Sequence, residues 1–174
     1  MPQMNAKPPD TPPLTIRPAR RKDVKAIAAL YREIFEVMAT LDPEHFQRAS
    51  QDKTFIRQKI QNPNADFLLA IKQDYASEPP REEVIGFALI AERTTPPYNA
   101  FVPLRYGYII DLVITETYRH QGVGTALIAE AKAWCRERLL ERLQLSVLAN
   151  NEAAKALYKK EGFTPHMMSL EVKL

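Results

Sequence analysis

A single cysteine, Cys135, stands in the 174-residue chain, so no intrachain disulfide can form. It lies among helix-forming residues beside Trp134, with no histidine near it in sequence, and reads as a packing residue rather than a reactive thiol. Glycine is scarce too, with five residues at 86, 107, 122, 124 and 162. The three histidines, His45, His120 and His166, are too widely separated to form a metal-ligand pattern, so no metal is expected. No apolar run approaches the roughly 20 residues needed to cross a bilayer, which argues against a membrane partner. Charge of one sign is also wanting: 24 basic against 21 acidic residues leave a net +3. Without a clustered basic stripe or interleaved aromatics, no nucleic-acid partner is expected.

The opening stretch, residues 1–13, holds five prolines and no apolar core segment. It reads as a disordered arm rather than a secretory signal, and a cytoplasmic, reducing location is expected. One domain is expected from 14 to 174, long enough to bury a core without staples.

Leu14 to Pro18 reads as a short strand, and Asp23 opens a helix whose apolar residues recur at i, i+3, i+4 and i+7 until Asp42-Pro43. A second helix is expected over about Lys53 to Gln61. Two strands, Asp66 to Lys72 and Val84 to Ala91, form a hairpin, and a long apolar strand follows from Arg105 to Thr115. The remaining order is a helix from Gly122 to about Leu140, a strand from Leu143 to Leu148, a helix from Glu152 to Lys160 and a last strand region from Phe163 to Lys173. The pattern predicts a mixed α/β (α+β) layer protein with helices packed on a sheet, not the regular βαβ alternation of a doubly wound fold.

The most informative stretch is Arg119-His120-Gln121-Gly122-Val123-Gly124-Thr125, at the start of the strongest helix. Helix starts carry unpaired N–H groups and the positive end of the dipole, so they are natural anion sites. Glycines allow close approach to a phosphate, Arg119 adds charge, and Thr125 can offer its hydroxyl. Equally, Gly122 and Gly124 could simply turn the chain. The dinucleotide fingerprint is excluded because it needs Gly or Ala where Leu127 stands, and the G-x-x-x-x-G-K-[ST] loop is absent. A second stretch runs from Asn151 to Phe163: Asn151 caps a helix, Asn151, Ala154 and Tyr158 share one face, and Gly162 ends it.

Together these two stretches resemble the GNAT superfamily of N-acetyltransferases. The likeness follows element order from Leu14 to Leu174 and is specific from about Gly107 to Phe163, with the N-x-x-A-x-x-L-Y-x-x-x-G-F element complete. It implies a mostly antiparallel central sheet flanked by helices, with acetyl-CoA as co-substrate. It implies that residues 119–125 and Asn151 bind the cofactor. It further implies that strand N–H groups near Leu112, Val113 and Ile114 hold the pantetheine arm and stabilise the carbonyl oxygen.

Tyr158 matches the family's general acid, since a phenol with a pKa near 10 can protonate the leaving thiolate. Asp111 is the first choice for the base, because a charge inside so apolar a strand needs a reason; a structural carboxylate is the competing reading. Glu116 is the second choice, and Glu33 and Glu36 could line the acceptor pocket or face water. A small, cationic primary amine is the expected acceptor, with a protein N-terminus or lysine still open. Family members often pair as homodimers, which the resemblance allows here. A non-catalytic acyl-CoA sensor or structural module is the alternative, and retention of Tyr158 speaks against it.

Overall fold

The computed structural model describes residues 14–75 and 77–174; the expected arm, residues 1–13, lies outside the described residues. Strand β1 (Leu14–Pro18) leads through a 3-10 turn into helices α1 (Val24–Leu41) and α2 (Lys53–Gln61). Strands β2 (Ala65–Asp74), β3 (Arg81–Thr94) and β4 (Arg105–Ile114) follow, then a second 3-10 turn, α3 (Val123–Glu137), β5 (Leu143–Leu145) and α4 (Glu152–Lys160). The sheet order is β1-β2-β3-β4-β5, antiparallel except for the parallel β4–β5 pair. This is the mixed, mostly antiparallel sheet that the family resemblance implies.

Strand alternation divides the core into two layers. Ala88 and Ile90 of β3 face α3 and pack with Leu127, Ala131 and Trp134. Phe87 and Leu89 face the other way, against Ile27, Leu30 and Tyr31 of α1 and Ile56 of α2. Each such side chain, fully buried, contributes about 1.5–3 kcal/mol. The α1 start is closed by Asp23, whose carboxylate accepts from Arg20 N–H at 2.7 Å and from both Arg17 terminal nitrogens at 2.8 and 3.0 Å. Helix α1 stops where expected, as Asp42 N–H folds back onto the Met38 carbonyl.

One irregularity matters for the site. Across the β3–β4 pair, Leu89 opposes Asp111 but Ile90 opposes Ile109, so Ile110 is an extra residue on β4. The bulge places Ile110 and Asp111 on the same face. Ile109 packs toward α3, and regular alternation would have sent Asp111 there as well. Cys135 lies directly over Gly107 of β4, where any Cβ would collide with its Sγ.

Two expectations need correction. Strand β5 pairs over only Leu143–Leu145 and stops short of Leu148. Residues 163–173, expected to be a strand region, carry no regular structure, and among the described residues no strand pairs with their backbone.

Candidate active site

β5 pairs with β4 only from Gly107 to Ile109. Beyond that point β4 has a free edge. Thr115 N–H bonds the Ile85 carbonyl at 2.9 Å and so points toward β3. By alternation the backbone groups of Leu112 and Ile114 point to the open edge, and Arg119 Nε donates to Ile114 O there at 3.1 Å. Val113 differs. Its carbonyl is directed at Gly86 of β3 and its side chain is buried against α1, so Leu112 and Ile114, not Val113, offer backbone to the opening.

The turn into α3 carries strained backbone. Gly122 has φ +82° and His120, a non-glycine residue, has φ +60°. The first intrahelical bond is Ala126 N–H to Gly122 O, so the N–H groups of Val123, Gly124 and Thr125 have no partner within the helix. No acidic residue stands in that first turn. Gln121 is held by its side-chain amide, which donates to Thr117 O at 2.8 Å. Backbone donors, the positive end of the helix dipole and the Arg119 charge meet at this turn, an arrangement suited to an anion.

Two residues at this turn are also committed to packing and pairing within the fold. At Gly124 a Cβ would sit 2.8 Å from Leu157 Cδ2 and 3.2 Å from Ile114 Cδ1. Its bareness lets α3 press on α4 and β4. The Thr125 hydroxyl donates to Glu161 Oε1 at 2.7 Å, so at this residue the free donor is the backbone N–H. Lys132 Nζ adds a bond to the Glu161 carbonyl at 2.7 Å. These contacts latch the end of α4 to α3. Neither Glu161 nor Lys132 announces this role in the sequence, because the contacts join helices through tertiary packing.

Asn151 caps α4, its Oδ1 accepting from Ala154 N–H at 3.1 Å. The neighbouring Asn150 Nδ2 bonds Leu41 O at 2.5 Å, tying the entrance of α4 to the end of α1. Tyr158, on α4, stacks edge-to-face on Phe163 at 5.8 Å. Burial pushes its phenol pKa up, and its hydroxyl bonds no side chain or backbone group among the described residues.

Asp111 is placed by the bulge against α1, where Tyr31 Oη donates to its Oδ2 at 2.7 Å. Burial raises its carboxyl pKa above the usual carboxylate range, opposed by the Tyr31 bond and by the Lys59 charge. The other acidic candidates are engaged elsewhere. Glu33 accepts from the Thr115 hydroxyl at 3.3 Å, Glu36 pairs with Arg48 at 2.6 Å, and Glu116 is exposed in the 3-10 turn. A concavity of about 650 Å³ beside Pro96, Tyr98 and Phe101 lies at the β3–β4 loop, at the other end of the sheet, and holds none of these groups. Among the described residues no group of three His, Cys, Asp or Glu could hold a metal ion. No helix there is long and apolar enough to cross a membrane.

Known proteins resemble this chain in sequence and in fold. The N-acetyltransferase YobR of Bacillus subtilis (strain 168) is 38% identical over 60 residues, which is 34% of this chain and 24% of that protein. The chain therefore spans about a quarter of that relative. A putative ribosomal protein bS18-alanine N-acetyltransferase of the same organism is 24% identical over 83% of both chains. Among solved structures, a tetramutant of the BH1408 protein of Bacillus halodurans superposes with a TM-score of 0.83 at 22% identity, covering 92% of this chain and 99% of that one. The aminoglycoside 6'-N-acetyltransferase AAC(6')-Ih of Acinetobacter baumannii superposes with a TM-score of 0.68 at 18% identity, covering 93% and 98%. At such identities the likeness shows the fold. The acetyltransferase (GNAT) family model matches residues 25–163, and the chain belongs to that family.

Proposed function

We propose that this protein transfers the acetyl group of acetyl-CoA to a primary amine of a small, cationic acceptor by direct attack. The observation that carries this reading is Tyr158: a phenol without a hydrogen-bond partner among the described residues, on a helix latched to the turn into α3.

The residues fit the cofactor. The N–H groups of Val123, Gly124 and Thr125, with Arg119, suit a diphosphate, and His120 and Gln121 shape the turn with Gly122. Leu112 and Ile114 offer strand-type donors to a pantetheine arm. When bound, acetyl-CoA supplies an acetyl thioester. The amine nitrogen bonds the acyl carbon as the carbon–sulfur bond breaks, giving an amide and free CoA. Asp111 takes a proton from the amine, and Tyr158 gives its phenolic proton to the departing sulfur. Asp111 is suited to the first task because its raised pKa makes it a stronger base than an ordinary surface carboxylate. Tyr158 is suited to the second because burial keeps it protonated through neutral pH.

A small acceptor is favoured by the aminoglycoside acetyltransferases among the structural neighbours. A protein N-terminus is the competing acceptor, as in the alanine N-acetyltransferase relative. A cytoplasmic location suits a chain whose one cysteine is unpaired.

The test is calorimetric titration with acetyl-CoA, followed by CoA release with a panel of small amines and N-terminal peptides. Binding with amine-dependent release is expected. Tyr158→Phe should lower kcat about 100-fold or more while leaving the CoA Kd nearly unchanged. Binding without release from any amine would remove the catalytic reading, and unchanged kcat in the variant would remove Tyr158 as the acid.

A further inference from the structure

Tyr31 and Tyr158 are held in place by different means. The Tyr31 hydroxyl is fixed by its bond to Asp111. The Tyr158 hydroxyl bonds no side chain or backbone group among the described residues. Its ring rests on Phe163, whose own N–H folds back onto the Tyr158 carbonyl at 2.9 Å. Tyrosine and phenylalanine therefore move with α4 as one body, and the seat of that helix sets where the phenol oxygen lies.

The seat has two contact points on α3. Leu157 packs where Gly124 is bare, since a Cβ there would meet its Cδ2 at 2.8 Å. One turn further along α4, Glu161 Oε1 accepts from the Thr125 hydroxyl at 2.7 Å. Lys132, two turns beyond Thr125 on the same side of α3, donates from Nζ to the Glu161 carbonyl at 2.7 Å. It thereby satisfies a carbonyl that the end of α4 leaves open. The Glu161 side chain is only 12% exposed, so little water is at hand to replace these partners. One contact would let a helix roll about its axis and slide along its neighbour. Two contacts a turn apart stop both motions, and Tyr158 lies between them in the chain.

We propose that Glu161 is a positioning residue for Tyr158: by bonding Thr125 beside Lys132 it fixes the roll of α4, and with it the phenol oxygen. The inference rests on Tyr158 as the proton donor to the departing sulfur. Such a transfer needs donor and acceptor about 2.6–3.2 Å apart. A misplacement of about 1 Å can cost on the order of 100-fold in rate. In this role Glu161 touches neither cofactor nor acceptor. A negative group beside Thr125 gives an anionic cofactor no attraction, so its effect falls on turnover rather than on CoA affinity.

A double-mutant cycle on kcat tests this, with the CoA Kd from calorimetry and folding from a thermal melt. Glu161→Ala should lower kcat about 10- to 100-fold and leave the CoA Kd within about threefold. Added to Tyr158→Phe, the same change should lower kcat by less than about twofold, because the group it positions is already gone. Glu161→Gln keeps an oxygen acceptor for the Thr125 hydroxyl and should recover most of the lost kcat. Thr125→Val breaks the same bond from the α3 side and carries the cycle where Glu161→Ala does not fold. The proposal is overturned, with Tyr158 still the acid, by any of four results. These are an unchanged kcat in Glu161→Ala, an equal loss in both backgrounds, a loss confined to CoA affinity, or a Glu161→Gln variant as slow as Glu161→Ala. An unchanged kcat in Tyr158→Phe alone is a separate failure, since it removes the acid and this proposal together.

Discussion

The phenol of Tyr31, 1% exposed, reaches across from α1 to donate to Asp111 Oδ2 at 2.7 Å. The bond exists because the β4 bulge turns Asp111 away from α3. It favours the charged carboxylate against the burial that opposes it. Removing the donor with Tyr31→Phe should therefore push the Asp111 pKa further up. With Asp111 as the base, the acid limb of kcat/KM should move to higher pH, and the fold should lose about 1–3 kcal/mol for the unsatisfied acceptor. A pH–rate profile and a thermal melt measure both; an acid limb that stays in place would leave the pair purely structural.

Asp111 also makes stability depend on pH. Its folded pKa lies above its unfolded value, so between the two the folded state binds more protons, and the stability it allows falls as pH rises. Asp111→Asn removes this dependence. The Tm difference, variant minus parent, should therefore increase in the variant's favour from about pH 4 toward neutral. Melts at a series of pH values would show it.

Gly122 and Gly124 should respond differently to alanine. At Gly122 nothing lies within 4 Å of a new Cβ, but φ is +82°, so Gly122→Ala should cost about 1–2 kcal/mol through the backbone alone. At Gly124 a Cβ meets Leu157, the residue before Tyr158, so Gly124→Ala should cost about 1–3 kcal/mol and displace α4. Gly124→Ala is expected to lower kcat more than an equal loss of Tm in Gly122→Ala does.

Thr125→Val should leave CoA affinity within about twofold, since the hydroxyl is engaged by Glu161 and the backbone N–H is retained. Its cost should appear as about 1–3 kcal/mol of stability, from the carboxylate left without its donor. A large loss of CoA affinity with an unchanged Tm would place the hydroxyl on the ligand.

The elements with strong periodicity were readable without coordinates. Val24, Ile27, Tyr31 and Ile34 announce α1, Asp42-Pro43 its end, and Asn151 and Gly162 the bounds of α4. The turn at 119–125 was readable because glycine and arginine at a helix start carry their chemistry locally. What depended on register was not. No local pattern tells that Ile110 is an extra residue, and without it neither the aim of Asp111 nor its bond to Tyr31 follows. For the same reason Val113 was grouped with Leu112 and Ile114, although its backbone faces β3. Residues 163–173 read as a strand region in the sequence, and among the described residues no strand pairs with them.

Cys135 packed over Gly107 has a practical corollary. Burial raises the pKa of this sulfhydryl, and the side chain is 4% exposed, so disulfide reagents and alkylators should not reach it while the protein stays folded. A colorimetric sulfhydryl assay of turnover would then count coenzyme alone, without background from the enzyme. Any slow colour in the absence of amine would report opening of the α3–β4 layer.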